Sequence, residues 1–127
     1  MQDKVTYEYA VIRLVPKVER EEFMNIGVIL FSKKKKYLGI KFNIDKRRIA
    51  SFSADVEVEM IRDYLDAWAL VCAGDPEGGD IGKLELSLRF RWLVACRSTI
   101  IQSSRTHPGL CTDPEKVLGD IFERLVL

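Results

Sequence analysis

The chain has 127 residues, 47% hydrophobic and 31% charged; that is the size of a single domain with enough apolar material for a core, and it excludes a disordered or low-complexity chain. Twenty basic side chains against 19 acidic ones leave a net charge of +1, so no global attraction draws the chain to nucleic acid or to an anionic membrane, although a local basic patch depends on distribution rather than sum. The start, Met1 to Val5, has no basic-then-apolar leader, and no apolar run approaches the ~18 residues that cross a bilayer, so the expected location is the cytoplasm with no membrane partner.

Thr6 to Val15 reads as a strand that stops at Pro16. Tyr7, Tyr9, Val11 and Val15 fall on one face and Ala10, Ile12 and Leu14 on the other, which predicts a central strand buried on both sides. A charged stretch, Lys17 to Gly27, leads into a second strand at Val28 to Phe31. Lys33 to Lys36 then form a hairpin loop, where self-repulsion keeps the chain solvated and deters edge pairing. In the third strand, Tyr37 to Ile44, residues Leu38, Ile40, Phe42 and Ile44 line one face and Gly39, Lys41 and Asn43 a wet one.

From Asp55 to Ala73 the period changes. Val58, Ile61, Tyr64, Leu65, Trp68, Ala69 and Cys72 recur at steps of three and four, the pattern of an amphipathic helix that Gly74 ends. Asp75 to Asp80 is a loop. Leu84 to Val94 fits two templates: Leu84, Leu86, Leu88, Phe90 and Trp92 alternate like a strand, while Leu88, Trp92 and Ala95 make a helical stripe that Ser87 could cap. Helix is the favoured reading. Ser98 to Ser103 is β-branched and reads as a strand. Thr112, Pro114 and Glu115 start a last helix, with Val117, Leu118, Ile121, Phe122, Leu125 and Val126 as its stripe. The order β-β-β-α-α-β-α predicts an α+β fold: a small, mainly antiparallel sheet of about four strands with helices packed on one face.

The three cysteines, Cys72, Cys96 and Cys111, are odd in number and widely spaced. A disulfide framework and a zinc knuckle are both disfavoured, and buried free thiols are expected. The single histidine, His107, excludes His-x-x-x-His zinc chemistry. No metal site and no cofactor is expected.

Several phrases occur together: Tyr7-Glu-Tyr-Ala-Val-Ile-Arg-Leu-Val-Pro16, Val18-Glu-Arg-Glu-Glu-Phe23, Asn25-Ile-Gly-Val-Ile-Leu30, Arg89-Phe-Arg-Trp-Leu93, Arg97-Ser-Thr-Ile-Ile-Gln102, His107 and Gly109-Leu-Cys111. In these the chain resembles the bacterial family catalogued as domain of unknown function 3037. The resemblance covers nearly the whole chain and is weakest from Lys33 to Lys83. It implies no activity, because the family has none assigned. It does imply a partner role, through kinases resembling the HipA toxin encoded near its members.

Two polar clusters stand out. Glu19, Arg20, Glu21 and Glu22 precede Asn25 and Gly27; they read either as a solvated turn in which Asn and Gly take left-handed geometry, or as a polar rim beside the sheet. Arg97, Ser98, Gln102, Ser104, Arg105, Thr106 and His107 fall within eleven residues. They read either as an edge strand with one wet face or as side chains converging on an anion, where guanidinium groups suit phosphate or carboxylate. His107 could serve as a general base, yet Pro108-Gly109 equally marks a turn. The candidate binding residues are therefore Glu19, Arg20, Asn25, Arg97, Ser98, Gln102, Ser104 and His107, with no catalytic residue named. Arg89, Arg91 and Trp92 admit a nucleic-acid reading, supported by Lys33 to Lys36 and Lys46 to Arg48, but Trp92 sits in an apolar stretch that reads as core. The leading expectation is a non-catalytic interaction or regulatory module that binds a partner protein. A small enzyme or binder of an anionic ligand at the Arg97–His107 cluster is the alternative, and a nucleic-acid-binding module comes third.

Overall fold

Ten consecutive residues with apolar side chains on both faces form β1 (Val5–Leu14), and that doubled apolarity dictates the layering of the fold. The computed structural model describes residues 3–95 and 99–127, so Cys96 and two of the candidate residues, Arg97 and Ser98, lie outside the described residues. β1 pairs antiparallel with β2 (Met24–Ser32), which pairs antiparallel with β3 (Tyr37–Phe42) across the Lys33–Lys36 turn. On its other edge β1 carries two short strands end to end. β4 (Ile101–Ser103) pairs with its last residues and β5 (His107–Cys111) with its first, both antiparallel. β1 is thus central, as its sequence predicts.

The described residues also form five α-helices: α1 (Lys46–Phe52), α2 (Val58–Ala73), α3 (Gly79–Gly82), α4 (Leu86–Leu93) and α5 (Pro114–Leu125). The α+β class and the antiparallel sheet agree with the sequence reading, and α4 settles the ambiguous stretch as helix. The helices, however, cover both faces. Ala10, Ile12 and Leu14 share a core with Ile49 of α1, Ile61, Leu65 and Trp68 of α2, and Phe90 and Leu93 of α4. Val28 and Leu30 of β2, with Tyr7 and Tyr9, pack on the opposite side against Leu118 and Ile121 of α5. One layer of helices could not shield β1, so the C-terminal helix takes the second face. It therefore also lies against β3, whose second face reads as wet in the sequence.

Local chemistry explains the helix boundaries. Asp45 caps α1 by accepting from the backbone N–H groups of Arg47 and Arg48 at 3.0 and 3.2 Å. Gly74 ends α2 in the left-handed region at φ 68°. The cap of α5 is Asp113 rather than Thr112, with Pro114 in the first turn, and Glu85, not Ser87, precedes α4.

Two bulges flank the middle of β1. On β2, Ile12 pairs with Gly27 but Arg13 pairs with Asn25, so Ile26 is an extra residue. The shift turns Ile26 into the main core and sends Asn25 to the α5 face. Gly27 makes room for it: a Cβ there would stand 2.8 Å from the Lys41 carbonyl oxygen and 3.0 Å from Phe42 Cβ. Neither Asn25 nor Gly27 adopts positive φ; in this stretch that geometry belongs to Glu21, at φ 57°. On the opposite edge, Ser103 pairs with Ile12 and His107 with Tyr9, so three residues span what two span on β1.

Candidate functional site

The second bulge is held by Ser104. Its backbone N–H donates to the Val11 carbonyl at 2.8 Å, and its hydroxyl accepts from the Val11 N–H at 2.8 Å and donates to the Arg105 carbonyl at 2.8 Å. A side-chain oxygen thus replaces the backbone acceptor that the bulge removes. The hydroxyl of this buried candidate is occupied within the fold.

His107 lies on β5 rather than in a turn, with its ring 5.1 Å from that of Tyr9. Gln102 lies on β4 opposite Arg13, four residues further along β1 than Tyr9, which separates the two candidates by about 13 Å at a strand rise of ~3.3 Å. The Gln102 amide donates to the Thr99 carbonyl at 2.8 Å. The structure therefore spreads Gln102, Ser104 and His107 along an edge.

Glu19 and Arg20 sit on a single 3-10 turn (Val18–Arg20) after β1, both exposed. Arg20 pairs with Glu22, and that hydrogen bond holds the Glu22 carboxyl below its ordinary value while raising that of the guanidinium. Arg20 and Glu22 line an open cavity of about 410 Å³ with Pro16, Lys17 and the Ser51–Asp55 connection. Four of its lining residues, Lys17, Arg20, Glu22 and Asp55, are charged.

Asn25 and Gln102 do converge, through a residue that sequence reasoning passed over. Arg13 pairs with Asn25 on one side and with Gln102 on the other, making a polar row across β2, β1 and β4. The Arg13 guanidinium lies 4.0 Å over the Phe23 ring. Asn25 Nδ2 donates to the Leu125 carbonyl at 3.1 Å at the end of α5. Arg13 Nε and Asn25 Oδ1 are buried with no hydrogen-bond partner among the described residues. The signal was a lone Arg in the otherwise apolar run from Tyr9 to Val15.

A different feature comes from α4. Phe90 and Leu93 take its core side, and Phe90 stacks on Phe31 with ring centroids 5.2 Å apart. That choice turns Leu88 and Trp92, one helical turn apart, outward; they are 48% and 42% exposed. Trp92 is not core, contrary to its reading from the sequence. It closes one side of a groove of about 260 Å³ whose other lining residues include Tyr64, Trp68 and Val71 of α2, Ile81 of α3 and Glu77.

The two neighbouring arginines are engaged inside the fold. Arg89 donates to the Val71 and Cys72 carbonyls at 2.9 and 3.0 Å and so closes the C-terminus of α2. Arg91 pairs with Glu8. Burial pushes the Cys72 thiol up to about 12, the nearby Arg89 opposing it, and burial raises Cys111 as well. Both are free thiols in their protonated form. Among the described residues, no group of three His, Cys, Asp or Glu side chains could hold a metal ion, and no helix is long and apolar enough to cross a membrane.

The family model described as "Protein of unknown function (DUF3037)" matches residues 9–126. The chain belongs to this family. No curated protein and no solved structure matches it.

Proposed function

We propose that this chain is a non-catalytic interaction module that docks a partner protein through the groove between α2 and α4. The observation that carries this reading is Trp92, turned outward beside Tyr64 and Ile81, with Leu88 exposed one helical turn away on α4. Exposed aromatic and aliphatic side chains around a concavity are the usual anchors of protein interfaces. Free thiols at Cys72 and Cys111 suit a reducing compartment, and the reading places the chain in the cytoplasm. The candidate partner is the one the family resemblance suggests, a HipA-like kinase encoded nearby. Co-expression of the native chain with such a kinase, followed by size-exclusion chromatography, should give a complex of fixed stoichiometry that Leu88→Ala/Trp92→Ala dissolves. A complex indifferent to that double substitution, or none with the native chain, contradicts the proposal.

The row Arg13–Asn25–Gln102 supports a second reading, a small anionic ligand held at the sheet edge, because one buried donor and one buried acceptor there lack partners among the described residues. A metabolite-library screen by thermal shift would favour it if a carboxylate or phosphate compound stabilised the native chain and failed to stabilise Arg13→Met.

A further inference from the structure

Building on the docking groove above, we infer that its occupant is a cationic side chain, arginine or lysine, carried on a basic segment of the partner protein. Three observations converge. The first is the wall chemistry: three aromatic residues line the groove, the exposed Trp92, Tyr64 and the largely buried Trp68, with the Tyr64 and Trp68 rings 6.2 Å apart and tilted by 43°, and the acidic Glu77 is among its lining residues. Ring faces attract a guanidinium or ammonium group, and a carboxylate at the rim completes its neutralisation.

The second is size. At about 260 Å³ the groove falls below the ~300–1,000 Å³ range of small-molecule and cofactor sites, and it suits a single large side chain.

The third is the surrounding charge. Although the whole chain carries +1, residues 55–85, which supply most of the groove, hold nine carboxylates against two cations, a local net charge of −7. The two cations, Arg62 and Lys83, each lie 3.9 Å from a carboxylate of their own segment, Glu59 and Asp80. Asp63 and Asp66, beside Tyr64 and Ala67 on α2, and Glu85 at the start of α4 are exposed and have no ion pair among the described residues. A basic segment meets a complementary field there, whereas an acidic one would be repelled.

The test uses two short fluorescent peptides with the same aliphatic positions, one with arginine and lysine between them and the other with glutamate. Each is titrated with the full chain at physiological salt. The cationic peptide should bind at least about tenfold tighter than its acidic counterpart. Asp63→Lys/Glu77→Lys should reverse that order, and Trp92→Ala, with Tyr64→Ala as the second variant should the first fail to fold, should abolish binding. Equal affinity for both peptides, abolished by Trp92→Ala, would overturn the cationic assignment while leaving the docking groove standing. Binding that survives both Trp92→Ala and Tyr64→Ala would overturn the groove itself. A concentration-dependent dimer that Lys34→Glu/Lys35→Glu dissolves, with neither peptide bound, would overturn the assignment in favour of a second copy of this chain.

Discussion

Arg13 and Asn25 face one another across β1 and β2, and each keeps a buried polar atom, Nε and Oδ1 respectively, without a partner among the described residues. An unmet buried donor costs about 1–3 kcal/mol. Arg13→Met keeps the aliphatic stem and removes that donor, at the loss of the contact over Phe23, which is worth about 0.5–1 kcal/mol. The expected result of urea unfolding is therefore a net gain of roughly 1 kcal/mol. A loss beyond about 2 kcal/mol would mean that a ligand or water satisfies the guanidinium in solution.

Gly27 should tolerate no side chain. Its Cβ would press on the backbone carbonyl of Lys41, which β2–β3 pairing holds in place. Gly27→Ala should cost about 1–3 kcal/mol, as overpacking does. A change within about 0.5 kcal/mol would show that the bulge relaxes freely.

Ser104→Ala should leave the Val11 N–H without an acceptor and cost about 1–3 kcal/mol. The neighbouring Ser103→Ala removes only a hydroxyl that donates to the Ser104 carbonyl, and should stay within about 0.5 kcal/mol. Equal effects would contradict the role given to Ser104.

Cys72 predicts an alkaline limit. The folded thiol holds its proton more tightly than the unfolded one, so its contribution is complete below the ordinary value of 9.0 and is lost as pH rises toward about 12. Over that window it should lower the unfolding free energy by about 1.4 kcal/mol per pH unit. Cys72→Ala should remove that share of the slope; a slope left unchanged would contradict it.

The elements that sequence reading recovers are those whose own pattern decides them. β1 shows apolar residues on both faces, and α2 repeats Ile61, Leu65, Trp68 and Cys72 at helical spacing. α1 escaped because only Ile49 of its seven residues is buried, although Asp45 offered a cap. β5 escaped because His107-Pro108-Gly109 carries turn residues. Its strand character comes from pairing with Val5 to Tyr9, about a hundred residues away, and an edge position accommodates Pro108. Gly109 is needed there because the Tyr7 ring lies across it, closer than a Cβ would allow. Trp92 was misjudged because which side of α4 faces inward depends on where Phe31 stands. Apolar character alone does not carry that information.

The site was half legible for the same reason. Asn25 stood out at the end of a charged stretch and Gln102 within a polar cluster, but Arg13 joins them only through the register of three strands. The groove was invisible, since Tyr64, Ile81 and Trp92 come from three separate helices.

The most direct measurement of the central claim is hydrogen–deuterium exchange on the chain alone and on the chain in complex with its protein partner. Protection gained at Leu86–Leu93 and along the Tyr64–Val71 stretch of α2 is the predicted result. Protection confined instead to Val18–Asn25 or to β4 and β5 would contradict docking at the α2–α4 groove.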